Sequence, residues 1–327
     1  MLCKGLRVLL MASWVEHKLK LIFLNSFRYA VNHSPRKLFY LIAYLSAVLT
    51  YMADHTKVRI MREELGKSLG RRIPGKKIGG IITKGICNNR KDLFETWMFP
   101  VLTQEKTRRL AYFSGKENLD AALANGKGVI LVLAHFGFRK FILPVLGYEG
   151  YAINQVAAKP TSWKLEGKEH AAHNKIMDIE LDCEKALRAN FIYLKDSLRP
   201  IFRALSKNEI VSIAIDGTIG NKRMGVKFFD RIAFLSPTVV SLSLKTGAPM
   251  IPAFAIRDND NRHKIVFEKP LLIKANDGAD TESLMREALG DFVNVLEKYV
   301  LAYPCHYVDW LYRARIWPIE ENFFVFQ

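Results

Sequence analysis

The stretch that most constrains the fold is Gly128-Val-Ile-Leu-Val-Leu-Ala-His135-Phe-Gly137-Phe-Arg139-Lys140. Val129 to Leu133 is an unbroken apolar run, β-branched in part, which predicts a short strand buried on both faces. His135 stands where that strand should end. In open α/β sheets ligands bind outside the carboxyl ends of the strands. An imidazole at such a place can take a proton from a hydroxyl near neutral pH. A second reading stands beside this one: a structural histidine that satisfies hydrogen bonds at a strand end.

Along the rest of the chain, strands alternate with helices. Residues 56 to 120 read mostly as helices, with a break at Pro74-Gly75 extended by Gly79-Gly80 and a helix from Ile81 to Trp97. Glu95 on that helix reads as a surface ion-pair partner. Strands are expected at Tyr151–Ala157, Asn190–Leu194, Ile210–Ile215, Pro249–Ile256 and Lys264–Phe267. Helices are expected at Phe138–Leu146, Ser197–Leu205, Ser236–Lys245 and Thr281–Tyr299. This alternation predicts an α/β fold with a mainly parallel central sheet flanked by helices. The stretch Gly217-Thr-Ile-Gly-Asn-Lys222-Arg223-Met-Gly225 is glycine-rich and basic, an anion cradle that matches no Walker or dinucleotide pattern. Asp216 just before it reads either as a cap on the turn or as a carboxylate that orients His135.

Leu38 to Ala53 is the most hydrophobic stretch, about 16 residues against the roughly 20 of a spanning helix. Arg36-Lys37 before it and His55, Lys57 and Arg59 after it suit anionic headgroups, which predicts a membrane-associated helix; a buried core helix is the alternative. The organisation expected is a basic, hydrophobic helical region over 1–60, an α/β domain over 61–318 and a tail over 319–327. The net charge of +17 points to anionic partners. Nucleic acid is an unfavoured partner, because no helix-turn-helix, RNP or zinc-finger pattern is present. The four cysteines form no CxxC pair, and His170, His173, Asp178 and Cys183 read as a solvated helix face ahead of a metal site, so no metal and no cofactor are expected.

Ala134-His135-Phe136-Gly137 after an apolar strand resembles the "HxG" block of the bacterial lipid A and lysophospholipid acyltransferase superfamily. Other blocks follow in the family's order. They are Gly150-Tyr151 with Lys159-Pro160, Asp216-Gly217, Phe228-Phe229-Asp230-Arg231, Leu244-Lys-Thr-Gly-Ala-Pro249 with Arg257, and Pro304 with Trp310, Tyr312 and Arg313. The resemblance covers roughly residues 60 to 318. It implies transfer of a fatty acyl chain from acyl carrier protein or coenzyme A to a hydroxyl of a lipid A-like or lysophospholipid acceptor, at the cytoplasmic face of an inner membrane. His135 would be the base, with Asp216 as its candidate carboxylate. Gly137, Arg139, Lys140, Lys159, Lys222, Arg223 and Arg257 are the candidate substrate-binding residues; Lys159 and its neighbour Lys164 read equally as ordinary exposed lysines. One position departs from the family. Five residues after the histidine, where the family carries Asp or Glu, this chain has Lys140. A lysine can neither orient an imidazole nor stabilise imidazolium. The alternative function is therefore a member that has lost catalysis and binds lipid or a partner protein.

Overall fold

A computed structural model describes residues 25–158, 171–193, 197–217, 222–273 and 280–316. The predictions for Lys159, Lys164, His170, the start of the N-terminal region and the 319–327 tail lie outside those residues. Seven strands form one sheet in the order β1-β9-β8-β2-β5-β3-β4. These are β1 (Ala111–Ser114), β2 (Val129–Leu133), β3 (Ile153–Ala157), β4 (Asn190–Tyr193), β5 (Ile210–Ala214), β8 (Met250–Arg257) and β9 (His263–Phe267). All neighbours run parallel except β8 and β9. Those two are joined by the polar turn at Asp258–Asn261, where Asn261 takes a left-handed φ of 57°. β2 and β5 are buried at every position, as central strands between helical layers are, and the one polar residue among them, Ser212, donates to Gln155 Oε1 at 2.9 Å.

Helices cover the sheet. A helix α1 includes residues 25–33, followed by α2 (Arg36–Ala53), α3 (His55–Leu69), α4 (Gly75–Trp97), α5 (Gln104–Leu110), α6 (Lys116–Leu123) and α7 (Ile142–Tyr148). Then come α8 (Ala171–Lys185), α9 (Arg199–Ser206), α10 (Thr238–Thr246), α11 (Thr281–Ala302) and α12 (Val308–Ile316). The break expected at Gly79-Gly80 does not form, because Pro74 precedes the first turn of α4 and the helix runs through both glycines. Glycine costs a helix about 1 kcal/mol, which packing against α2 and α12 offsets. The strand β1 and the antiparallel hairpin β6–β7 (Met224–Phe228, Arg231–Leu235) were not legible as strands; the hairpin packs on α11.

The hydrophobic stretch at Leu38–Ala53 becomes α2, and its two faces differ. Phe39, Tyr40, Ala43 and Ala47 are buried, whereas Leu38, Leu41, Tyr44, Leu45, Leu49 and Met52 are each about half exposed or more. The exposed set repeats at helical spacing and makes one apolar stripe. Among the described residues no single helix is long and apolar enough to cross a membrane; α2 and α3 pass that test only as a pair bent by 91°.

Glu95, expected at the surface, is 2% exposed. It sits at the centre of a buried charge cluster. Arg257 at the end of β8 donates from Nη1 and Nη2 to the two Glu95 oxygens at 2.9 and 2.7 Å, and from Nη2 to Asp92 at 2.5 Å. His263 on β9 lies 2.7 Å from Glu95, and the Tyr40 hydroxyl donates to it from α2. Burial pushes the Glu95 carboxyl up, yet the Arg257 guanidinium and His263 together hold it well below the usual carboxylate range. The cluster fastens α2 and α4 to two strands. Replacing Arg257 with Met strands two carboxylates without a cation and should destabilise the protein by about 3–5 kcal/mol in urea unfolding. Adding Glu95→Gln should recover part of that loss; full stability in Arg257→Met alone would contradict this account.

Candidate active site

The pairing of β2 with β5 puts Leu133 opposite Ala214. His135 and Asp216 both lie two residues beyond those partners, at adjacent strand ends in a parallel pair whose strands are about 4.8 Å apart. Register alone therefore places the imidazole beside the carboxylate. The His135 main-chain N–H donates to both Asp216 oxygens, at 3.0 and 2.8 Å. Nδ1 of the ring lies 2.7 Å from the same carboxylate. A carboxylate accepts and does not donate, so Nδ1 carries the hydrogen and Nε2 carries the lone pair. The Tyr307 hydroxyl adds a further donor to Asp216 at 3.1 Å. Asp216 accepts from the backbone and the ring of the histidine.

The ring is held from a third side. Trp310 on α12 stacks on His135 with centroids 3.7 Å apart and planes within 8°. Two close approaches of backbone complete the seat. Gly137 takes a left-handed φ of 57°, and a Cβ there would lie 2.0 Å from the Ala255 carbonyl oxygen. Its N–H donates to the His306 carbonyl at 2.9 Å. The close approach at Gly137 is therefore to β8 and to the His306 turn. At Gly217 a Cβ would stand 2.8 Å from the His135 ring, so only glycine leaves the imidazole where it is.

The cation against the imidazole is Arg139, not Lys140. Arg139 Nη2 lies 2.9 Å from Nε2 and donates to its lone pair. Burial, and then the Arg139 guanidinium, push the His135 pKa down to about 4, so the ring is neutral at pH 7. Lys140 turns away to α8, where its Nζ pairs with Glu180 at 3.0 Å and Glu184 at 2.6 Å. Burial opposes its charge, but Glu184 and Glu180 hold its pKa above the ordinary value. The charge expected at this position is reversed, and so is the charge of its partners.

The remaining candidates divide. Arg257 is bound into the buried cluster described above and still reaches the wall of the pocket. Arg223 is half-buried and within electrostatic reach of Asp216. Lys222 is exposed. Cys183 is fully buried, so α8 does not present it to solvent. No cluster of three or more metal-ligating side chains occurs among the described residues.

His135 and Arg139 open into a cavity of about 630 Å³. Its lining combines apolar side chains, among them Leu143, Val156, Ile176, Met177, Leu181 and Phe191, with charged ones, Arg139, Lys140, Glu180, Asp309 and Arg313. The volume falls within the range of about 300–1,000 Å³ typical of small-molecule sites. Tyr307, Glu180, Glu184 and the close fit at Gly217 were not legible as functional. Trp310 and Arg313 belonged to a recognisable closing block, but nothing in their spacing said that they meet His135. Chemically, a neutral imidazole with an orienting carboxylate beside an apolar cleft can deprotonate a hydroxyl next to a bound aliphatic chain.

The chain was compared with known proteins. The family model described as bacterial lipid A biosynthesis acyltransferase matches residues 21–314. No curated protein matches the chain.

Because Lys140 faces two carboxylates, Lys140→Glu should not repair the site. It puts three acids together at the base of α8 and should lower both stability and any turnover; reversing Glu184 to Lys in the same protein should restore much of the stability. A gain in thermal stability from Lys140→Glu alone would contradict the pairing.

Proposed function

The chain belongs to the bacterial lipid A biosynthesis acyltransferase family, and from that premise we propose that it is an O-acyltransferase that works through His135 and Asp216. The donor is an acyl thioester on coenzyme A or acyl carrier protein. The acceptor is a hydroxyl of a lipid A-like glycolipid or a lysophospholipid. The observation that carries this reading is the Asp216–His135 pair, whose imidazole lines a cavity that also holds apolar and charged side chains.

The proposed steps follow from the tautomer. The acceptor hydroxyl loses its proton to His135 Nε2 as its oxygen attacks the thioester carbonyl carbon. Positive charge on the ring is stabilised through Nδ1–H by the Asp216 carboxylate. Collapse of the tetrahedral intermediate breaks the C–S bond, and the proton on Nε2 passes to the departing thiolate. The products are an ester and a free thiol. The apolar lining side chains suit the acyl chain, and the charged ones suit the headgroup of the acceptor.

The exposed apolar stripe of α2, with Lys37 and Arg59 close to its ends, supports attachment to an anionic lipid surface, the inner membrane by the family's usual chemistry. Such attachment would bring the site to a lipid acceptor. One observation favours a second reading, a member that binds lipid without turnover: Arg139 occupies the lone pair that the base needs.

Acyl transfer from lauroyl-coenzyme A and acyl carrier protein to a panel of lysophospholipids and lipid A precursors in anionic vesicles separates the two. We expect ester product in wild type, a fall of at least about 10³-fold in His135→Ala, and release of the protein from vesicles as salt rises. Tight vesicle binding with no ester from any acceptor would favour the second reading.

A further inference from the structure

We propose that Arg139 is a latch on the catalytic base, one that a phosphate group on the bound acceptor draws open. The inference rests on the acyl-transfer reading above. The geometry is as follows. Nδ1 of His135 is engaged by Asp216, so Nε2 is the one ring nitrogen left to receive the hydroxyl proton. Arg139 Nη2–H points into that lone pair at 2.9 Å. An imidazole nitrogen has one lone pair in the ring plane, so an acceptor hydroxyl cannot use it at the same time.

The ring cannot turn away to free itself. Asp216 holds its other nitrogen, Trp310 lies flat against its face at 3.7 Å, and Gly217 crowds its edge. The part that moves is therefore the arginine, which stands on the single 3₁₀ turn Arg139–Phe141 just after the left-handed Gly137. It must withdraw by about one hydrogen-bond length, roughly 3 Å. The acids lining the cavity do not offer it a landing place, because Lys140 already binds Glu180 and Glu184, Arg313 binds Asp309 and Arg257 binds Asp92. The opposing charge has to arrive with the ligand. A phosphate monoester suits a guanidinium best, since the two form paired hydrogen bonds.

The groups facing the ring set what release does. Asp216 faces it from the end of β5 with Tyr307 on the same carboxylate, Arg223 lies toward Asp216, Arg313 reaches it from α12, and Arg139 faces it from its own turn. While latched, the ring faces two cations and stays neutral. Moving Arg139 onto a phosphate removes one of them and makes imidazolium easier to form when the proton arrives.

The latch also guards the thioester. With donor bound alone, a water could lose its proton to Nε2 while its oxygen attacks the carbonyl carbon. The C–S bond would then break, the thiolate would take that proton, and free fatty acid and thiol would be released. A capped Nε2 suppresses this hydrolysis until the acceptor arrives.

The test uses the full chain, with decanoyl-coenzyme A as donor. With no acceptor, thiol release should be at least tenfold faster in Arg139→Leu than in wild type, intermediate in Arg139→Gln, and absent in His135→Ala/Arg139→Leu. 1-Acyl lysophosphatidic acid and the matching 1-monoacylglycerol share the 2-hydroxyl, so ester formed at that position is compared with and without phosphate on the neighbouring carbon. Wild type should prefer the phosphorylated acceptor by at least tenfold in kcat, and Arg139→Leu by less than threefold. Inorganic phosphate added with monoacylglycerol identifies the source: no rescue means that the acceptor must carry the anion, and rescue means that any phosphate opens the latch. Equal hydrolysis and equal preference in wild type and Arg139→Leu would overturn the latch while leaving acyl transfer intact. If no protein shows transfer or hydrolysis, the functional reading fails, and nitrogen-15 NMR of His135 judges the latch by itself. A ring that titrates below pH 5 in wild type and at least one pH unit higher in Arg139→Leu sustains it; identical titration overturns it.

Discussion

The Asp216 carboxylate, bonded to both the main chain and the ring of His135, is the interaction on which the rest of this site depends. It follows from a feature of the sheet, not of the loop that carries the histidine. Two buried, parallel strands in register end side by side, and the second residue past each end faces its counterpart. Three further contacts secure that pair. Tyr307 completes the hydrogen bonding of the carboxylate, Trp310 pins the ring's face, and Gly137 lets the histidine loop lie against β8. A carboxylate that meets this many donors while 1% exposed is a stable place for an anion, and it imposes one tautomer on the imidazole.

Charge in this protein is arranged by compensation. The chain carries a net charge of +17. Inside, cations are matched to carboxylates one cluster at a time: Arg257 to Glu95 and Asp92, Arg231 to Glu64, Lys140 to Glu180 and Glu184. Lys140 looked like a defect because it stands where the family carries an acid. The structure gives it acids of its own on α8, and the imidazole draws its carboxylate from the neighbouring strand. Arg139 is the cation placed against a neutral ring, and it adds to burial in depressing the basicity of His135.

Much of this was legible in the residues, and the exceptions have physical causes. The apolar run Val129–Leu133 announced a doubly buried strand, and the alternation of strands with helices announced a mainly parallel sheet. His135 and Asp216 could each be named as chemistry at a strand end. Their distance could not, because register is decided by packing between strands 81 residues apart. Glu95 read as a surface residue because a helical glutamate usually is one; its burial depends on Arg257, Tyr40 and His263 arriving from three other elements. The direction of Lys140 was equally hidden, since Glu180 and Glu184 lie forty and more residues away on a helix with no distinctive pattern. The hairpin β6–β7 was masked by glycines and basic residues that suited an anion-binding loop just as well.

The central claim is that His135 and Asp216 act as one unit. A double-mutant cycle on the rate of acyl transfer, with His135→Ala, Asp216→Asn and the two together, tests it most directly. Residues that act as a unit are strongly non-additive. The account predicts that the double variant is no slower than His135→Ala alone, within about threefold, although Asp216→Asn by itself is slow. Losses that multiply in the double variant would mean that the carboxylate serves the reaction independently of the imidazole, and would contradict the account.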